Sequence, residues 1–488
     1  MKVYRIEEGT FKTSTRERKL RTANKMPGIR LLITSIISVL TGGFHFGFQV
    51  SIINPMADVL QMFLMKNFNS RYQMYLSESG QALIWSAVAG SLFIGAAFGA
   101  CFMSFFVEKY GPKKSLLLSA TILLIGAPMS GLAHSFESAE IFIIGRLICG
   151  IGVGMGTTAH GIFLTEISPV CHRGIIGSIG GFSTNIGFIM AGGLGIPLAL
   201  GTDDKWPLPY YLESIPCLIA MTAIVFWFYD SPVYLLKTGN IAAAQAACHA
   251  YSGNDEDSLE KIQLELKNQQ QVDTFRGIIG TASTRNALLL SATLNVVVSF
   301  SGIMAVSFFG TFLLQSIGFT ETSASLANCL SALSGTLGAV IGTLYVEKIG
   351  RRILVLGSLL LLAGVNTCMM FFVYLFNTTH KLWIGWAFLI LFILFLFLFS
   401  AGIGPTAWFL GAELAPAAAR AKVQSFSLAA QYICCFISPM IYYPLYSVIG
   451  PLAFLAFIVP LTSSAIYFYN CLPETKGKTS EEISELLQ

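Results

Sequence analysis

The chain has 488 residues, of which 54% are apolar and only 11% are charged, and its formal net charge is +4. This composition leaves too little polar surface for a water-soluble globule and indicates a helical membrane protein. The basic residues line short loops between apolar stretches, which argues against nucleic-acid binding as the reason for the positive charge.

Twelve apolar segments recur along the chain, each close to the 20 or so residues that a helix needs to cross a bilayer. They lie at 30–55, 82–107, 115–134, 139–165, 174–199, 210–229, 286–315, 324–346, 353–376, 382–412, 423–447 and 450–471. The sequence therefore predicts an all-α membrane protein with twelve transmembrane helices.

The basic residues also predict the orientation. If both termini are cytoplasmic, the inner segments hold 25 of the 30 Lys and Arg residues, and Arg146 lies within a segment. The four that remain outside are Lys66, Arg71, Lys205 and Lys381. This asymmetry follows the positive-inside rule. The first apolar segment is not followed by a cleavage site, so we predict no removable signal peptide.

The polar stretches divide the chain into five parts. We predict a basic cytoplasmic N-terminus at 1–28, a six-helix bundle at 29–229, a cytoplasmic linker at 230–285, a second bundle at 286–471 and a cytoplasmic tail at 472–488. Two short helices are expected in the linker, at 241–251 and 258–271. Thr479 and Glu482 have the spacing of a capping box, which predicts a closing helix in the tail.

Three motifs occur twice, once in each half of the chain. Glu108 to Lys114 matches Glu347 to Arg352, Glu166 with Arg173 matches Glu413 with Arg420, and Asp230-Ser-Pro232 matches Pro473-Glu474-Thr475. The copies are 239, 247 and 244 residues apart. Such regular spacing indicates a duplication of a six-helix unit.

Acids and bases at the ends of neighbouring helices can pair and hold two bundles together until a movement separates them. The alternative is that the basic residues only anchor the loops. Near water each pair is worth only about 1 kcal/mol, which suits a gate. The predicted gating residues are Glu108, Lys113, Lys114, Glu166, Arg173, Glu347, Arg351, Arg352, Glu413, Arg420 and Glu474.

The tenth apolar segment contains its own helix-breaking residues, Gly402, Gly404 and Pro405. A broken helix is tolerated in a membrane only where it packs on protein or lines a cavity. Trp408 follows one turn later and offers a large aromatic face. We therefore expect this stretch to line the path of a transported solute.

These motifs resemble those of the sugar porter family of the major facilitator superfamily, especially its facilitative glucose and fructose transporters. The resemblance rests on Gly350-Arg-Arg, Glu166-Ile-Ser-Pro with Arg173, Gly402-x-Gly-Pro-x-x-Trp-Phe409, Glu413 with Arg420, Ser301-Gly-Ile303 and Pro473-Glu-Thr-Lys-Gly-Lys-Thr479. They follow the family's order over nearly the whole chain. The resemblance implies two six-helix bundles that carry a sugar by alternating access, without a cofactor, in a plasma membrane.

Several positions depart from the family's sugar-contacting residues. Val298 and Ser299 replace two Gln, Met304 an Asn, Gly181 a Gln, Gly335 an Asn, and Gln431 with Tyr432 an Asn-Trp pair. Each sugar hydroxyl left without a partner costs about 1 to 3 kcal/mol. A millimolar ligand has only about 4 kcal/mol of binding free energy in total. Either other groups compensate or the solute is not glucose.

Our predicted substrate-binding residues are Trp408, Asn295, Ser299, Met304, Gly181, Gln431, Phe309 and Thr406. Ser307, His160 and Asn185 are further candidates to replace the missing amides. Taken singly, each polar residue among these is more often a satisfied helix-packing group than a ligand.

Proton-coupled members of the family tend to carry an Asp in the first helix, where this chain has Gln49. Because Gln does not exchange a proton, we favour passive uniport of a hexose or a related small polyhydroxylated solute. Proton symport, a non-sugar solute and a transporter-like sensor remain alternatives. Glu213 is expected near the outer surface, while His45, His160 and Arg146 lie within segments.

Other sequence features carry less functional information. An enzyme is not indicated, because no His, Asp or Cys residues converge in a catalytic pattern, and the cysteine spacing suggests neither a metal site nor a disulfide. Asn377-Thr-Thr is a glycosylation sequon predicted to lie in an outer loop. The oligomeric state is not specified by the sequence.

Overall fold

A computed structural model describes residues 27–73, 78–252, 259–260, 262–263, 266, 280–416 and 418–488. Almost all of the predicted N-terminal segment at 1–28, and most of the second linker helix expected at 258–271, lie outside these residues. Within the described part, the chain is helical and contains no strand.

Twelve membrane-length spans follow one another, as predicted, when the bent pair at the start is counted as one. Span 1 is Ile29–Thr41 with Gly43–Ser51, two helices joined at an angle of 40°. Spans 2 to 6 are Ala87–Tyr110, Pro112–Ser135, Ala139–Ile167, Val170–Gly195 and Leu208–Phe226. Spans 7 to 12 are Ala282–Gly310, Leu326–Ile349, Arg351–Thr379, Leu382–Leu414, Arg420–Tyr446 and Gly450–Cys471. Spans 1–6 and 7–12 form two six-helix bundles.

Short glycine turns join spans 2 to 3 and 8 to 9 at equivalent places in the two bundles. Gly111 has a φ of 85° and Gly350 a φ of 94°, a backbone region that favours glycine. Pro112 and Arg351 then begin the next helices, and proline suits a first helical position because its missing N–H has no partner there. The duplication is therefore visible in backbone geometry as well as in sequence.

Glycines on span 4 allow span 2 to approach closely. A Cβ atom on Gly150 would collide with the Leu92 carbonyl, and one on Gly154 with the Ala96 carbonyl. These residues belong to a run of glycines at two-residue intervals, and the small surface lets two helix backbones touch. The N-terminal bundle is built around this contact.

Gly154→Val should destabilise the protein by about 1 to 3 kcal/mol, because the added side chain meets backbone that cannot move aside without separating two spans. We expect a lower unfolding temperature for the detergent-solubilised protein. Gly193→Val in span 5 is the matched control, since no atom lies within 4 Å of a Cβ at Gly193. Equal unfolding temperatures for the two variants would contradict the packing argument.

Spans 7 and 10 are interrupted where the sequence places glycine. Span 7 changes helix at Gly302, which has a φ of 101°, and span 10 ends its first helix at Ala401 and begins its second at Ile403. Pro405 falls in the first turn of that second helix, where a proline is tolerated. The helix break expected at 402–405 is therefore present at Gly402.

Short helices complete the chain on either side of the second bundle. Pro232–Lys237 and Ile241–Ser252 begin the linker. The tail ends in Ser480–Leu486, with the predicted capping box between Thr479 and Glu482. Ile483 of the tail is fully buried, so this helix packs on the C-terminal bundle.

Asn377 is not in a loop, contrary to the sequence-based expectation. It lies in the last turn of span 9, which continues to Thr379, and its side chain is exposed. The apolar pattern ends at residue 376, three residues before the helix does, so the sequence predicts the loop too early. Glycosylation of this residue stays a prediction.

Candidate functional site

The loops that follow spans 2, 4, 8 and 10 carry the repeated motifs, and we call the side of the protein on which they lie the motif side. One ion pair and one hydrogen bond between described residues join the bundles there, besides the electrostatic interaction of Arg173 with Glu413. Lys422 pairs with Glu108 at 3.1 Å, and the backbone N–H of Gly174 donates to Glu347 Oε1 at 2.7 Å. Both are contacts that a rocking movement can break without disrupting either bundle.

Arg351 is the centre of the charge cluster in the C-terminal half. Its guanidinium donates to both carboxylate oxygens of Glu347, at 2.7 and 3.1 Å, and lies 3.3 Å from Glu413 Oε1. Arg351 is completely buried and Glu413 nearly so. Because Glu347 also accepts the N–H of Gly174, this cluster reaches across to the other bundle.

The N-terminal half has a weaker version of the same arrangement. Lys113 Nζ donates to the Phe228 carbonyl at 2.7 Å, and its backbone N–H donates to Asp230 at 3.1 Å. Glu166 accepts the hydroxyl of Ser231. Lys lacks the planar fork that lets Arg351 bind a carboxylate twice. Lys113 therefore makes only single hydrogen bonds at the place where Arg351 makes two to one carboxylate.

Asp230 lies at the end of span 6, beside these groups. Burial raises the pKa of its carboxyl above the ordinary value, although the backbone N–H groups of Lys113 and Ser231 donate to it and oppose that change. A raised pKa means that ionising this carboxyl is less favourable in the folded state than in the unfolded chain. Its negative charge therefore does not stabilise the fold.

The remaining predicted gating residues have other partners. Arg420 donates to the Ala412 carbonyl and to the Ser480 hydroxyl of the tail, so Glu413 pairs with Arg351 and not with Arg420. Arg352 donates to the Tyr469 carbonyl. Glu474 accepts the backbone N–H groups of Arg351 and Arg352 and thereby fixes that helix start.

Two basic residues complete this set. Arg173 interacts electrostatically with Glu413 of the other bundle. Lys114 is exposed and forms no ion pair with a residue in the described ranges. The geometry therefore gives Arg173 a place in the cluster between the bundles and leaves Lys114 outside it.

Aromatic rings from both bundles meet around Trp408 of span 10. Trp408 is stacked on His160 of span 4, with ring centres 5.9 Å apart and planes 18° from parallel. Phe46 of span 1 contacts Trp408 edge-on at 5.3 Å. The hydroxyls of Thr157 and Tyr432 lie 2.7 Å apart and make a second link between bundles. The bundles are therefore in contact at this level too.

Several predicted ligands are used in helix packing. Asn295 donates to the carbonyls of Ser291 and Ala407, Ser299 donates to the Gln431 carbonyl, and Thr406 donates to the Gly402 carbonyl. However, Asn295 Oδ1 and Gln431 Oε1 are buried without a hydrogen-bond partner in the described parts of the chain. Both amide oxygens can therefore still accept a hydrogen bond.

The other candidates lie at contacts between or within the bundles. A Cβ on Gly181 would lie 2.6 Å from Pro405, so span 5 touches the helix break directly. Asn185 accepts the hydroxyl of Ser400 at 3.1 Å, and the Ser307 carbonyl accepts the amide of Asn54 at 3.1 Å. Met304 is buried in an apolar cluster that contains residues of both bundles.

Phe309 lines a small, partly open apolar recess between spans 2, 7 and 11. Its other lining residues are Trp85, Ala89, Gly90, Phe93, Phe308, Phe436, Pro439 and Met440. None of them carries a charge. The recess that Phe309 lines is therefore apolar.

A buried polar network occupies the N-terminal bundle beside the path. Glu213 accepts Gln49 Nε2 at 2.6 Å and lies 2.9 Å from His45 Nδ1, while Arg146 donates to Gln49 Oε1 at 3.3 Å. All four residues are at most 1% exposed. Glu213 lies near the start of span 6 and is enclosed there by side chains of spans 1 and 4.

This geometry matches a transporter family, and comparison with known proteins identifies it. The family model described as "Sugar (and other) transporter" matches residues 34–487. The chain belongs to this family. The sugar transporter fold and family predicted from the sequence are confirmed, and the chain is a transporter and not an enzyme.

Named relatives of this sugar transporter are similar over almost their whole length. Facilitated glucose transporter member 3 of solute carrier family 2 from Rattus norvegicus is 26% identical over 464 residues, covering 94% of this chain and 93% of the relative. Member 1 from Gallus gallus is 25% identical over 459 residues, covering 93% and 92%.

Solved structures show the same major facilitator fold. The proton:xylose symporter XylE bound to 6-bromo-6-deoxy-D-glucose has a TM-score of 0.81 at 21% identity, covering 94% of this transporter and 99% of that chain. The partially occluded inward open conformation of XylE from E. coli has a TM-score of 0.74 at 20% identity, covering 93% and 100%.

Proposed function

We propose that this sugar transporter family member is a facilitative carrier, a uniporter, for a hexose or a related small polyhydroxylated solute. It moves the solute by alternating access, with the two bundles rocking about the aromatic centre at Trp408. The two bundles correspond to 29–229 and 286–471, and we place both termini in the cytoplasm and the protein in the plasma membrane.

The observation that carries this proposal is the kind of contact between the bundles. On the motif side they meet through Glu108 with Lys422 and Gly174 with Glu347, and in the centre through Trp408 with His160. The Glu108 carboxylate is partly exposed, and an ion pair near water contributes only about 0 to 1 kcal/mol. A contact of this strength can break on the timescale of transport.

Uniport is supported by Gln49. It occupies the centre of the buried network, where its amide donates to Glu213 and accepts from Arg146 without being able to exchange a proton. Two neighbours of Gln49, His45 and Glu213, can exchange protons and lie 2.9 Å apart. Proton-coupled symport is therefore the second candidate.

Uptake into proteoliposomes tests both candidates. Purified protein should give saturable uptake of tritiated D-glucose or D-fructose that stops at equal inner and outer concentrations. An imposed pH gradient should leave that plateau unchanged. Accumulation above equilibrium would replace uniport by symport. No saturable flux of any monosaccharide or polyol, with correctly inserted protein, would favour a sensor or a carrier of another solute.

A further inference from the structure

Two adjacent glycines of span 5, Gly180 and Gly181, let spans 4 and 10 pack closely against its backbone. At Gly181, Pro405 of span 10 occupies the space that a Cβ would need. At Gly180, His160 Nε2 lies 2.9 Å from the position of a Cβ. The imidazole of span 4 therefore fills the space that a larger residue of span 5 would otherwise occupy.

His160 also lies directly against Trp408. The two rings are nearly parallel, and His160 is only 1% exposed. The next residue, Gly161, brings the backbone of span 4 close to the Trp408 carbonyl, 3.2 Å from its would-be Cβ. The imidazole is thus held between span 5 and the aromatic face that a sugar ring would use.

The hydrogen-bonding capacity of this imidazole is not used up by the fold. Nδ1 is buried and forms no hydrogen bond of normal geometry with a residue in the described ranges, although the ring interacts with the Gly156 backbone one turn earlier. Leaving a buried polar atom unpaired is costly, so a ligand that supplies the partner gains free energy. A neutral imidazole has one donor and one acceptor nitrogen and suits a hydroxyl that can take either role.

We propose that His160 is a specificity-determining residue of the solute site, where it hydrogen-bonds a hydroxyl of a cyclic polyhydroxylated solute whose ring lies on Trp408. This inference rests on the proposed function. Under this proposal, span 4 supplies a hydrogen bond to the solute that the glycines of span 5 cannot supply. His160 belongs to one bundle and Trp408 to the other, so such a solute contacts both bundles. It then replaces the direct stacking of His160 on Trp408.

His160→Phe keeps a flat aromatic ring against Trp408 and removes both nitrogens, while His160→Gln restores a donor and an acceptor. We expect His160→Phe to weaken binding of tritiated D-glucose or D-fructose, whichever the wild type binds better, by about tenfold, the value of one hydrogen bond. His160→Gln should recover affinity to within about threefold of wild type by the same reasoning. His249→Gln, on an exposed position of the linker helix, is the control.

Monodeoxy analogues of the preferred sugar separate recognition from packing. Wild type should bind one analogue about tenfold more weakly than the parent sugar, and His160→Phe should bind both equally because its partner for that hydroxyl is gone. Unchanged affinities of His160→Phe for the parent and every analogue, with wild-type binding intact, would overturn the role of His160 alone. A wild type without saturable binding or uptake of any sugar would overturn the proposed function and this inference together.

Discussion

Glu213→Ala should greatly reduce the stability of the protein, because it removes the one carboxylate shared by a buried network. His45 and Gln49 would each lose an acceptor, and Arg146 would keep its charge without a nearby anion. Breaking a buried charged network by deleting one member costs about 3 to 5 kcal/mol. That is a large part of the 5 to 15 kcal/mol or so that stabilises a typical fold.

The measurement is thermal unfolding in detergent, followed with a thiol-reactive dye, which the ten free cysteines of the chain permit. Glu213→Gln should lose less, because an amide of the same shape still offers one acceptor and donates two hydrogens. Glu137→Ala is the control. Glu137 also pairs with a base, Lys66, but the two side chains are 72% and 74% exposed, so its loss should not change the midpoint.

A Glu213→Ala midpoint equal to that of Glu137→Ala would show that the network does not hold the bundle together. In that case the presence of four buried polar side chains inside the bundle would have to be explained by a role in transport. The proton-coupled alternative would then gain support. The same variants in proteoliposomes with a pH gradient distinguish these outcomes, since a purely structural network leaves the uptake plateau at equilibrium.

The fold follows from the sequence because its causes are local. Apolar length defines each span, Gly111 and Gly350 define two of the turns, and Gly402 defines the break in span 10. Each of these needs only a few consecutive residues to act. The family motifs then fix the order of the spans and the duplication.

The partners of the charged residues do not follow from the sequence, because they depend on which faces of distant helices meet. The equal interval from Glu166 to Arg173 and from Glu413 to Arg420 marks a repeated motif, yet Glu413 pairs with Arg351 from another loop. Arg420 instead caps a carbonyl and binds Ser480 of the tail. Motif spacing identified the groups but not their pairing.

The polar network around Glu213 does not follow from the sequence for the same reason. The partners of Glu213, His45 and Gln49, come from span 1, more than 160 residues away in the sequence. An arginine inside an apolar segment was the available signal, because a buried cation requires partners. The carboxylate near Arg146 belongs to Glu213, one of the few acids close to the end of a span.

Arg351→Ala should open the motif side and impair transport, and this is the second large effect we expect. The guanidinium lies between Glu347 and Glu413, and its removal leaves two acids close together in a buried site. Such a change costs about 3 to 5 kcal/mol. Because Glu347 also holds the N–H of Gly174, repulsion between the acids weakens a contact between the bundles. Arg351→Lys keeps the charge without the two-bond geometry and should have an intermediate effect.

Arg352→Ala is the matched control, since the neighbouring arginine reaches the Tyr469 carbonyl within its own bundle. Spin labels at Lys114 and Lys476, exposed positions in the two halves, report the separation of the motif side. We expect a longer and broader distance distribution and at least a tenfold lower uptake rate for Arg351→Ala, since 1.4 kcal/mol or so already corresponds to tenfold. Arg352→Ala should resemble wild type in both measurements. If the two variants gave the same distances and the same uptake, Arg351 would only anchor its loop, and the gate would have to depend on Lys422 with Glu108.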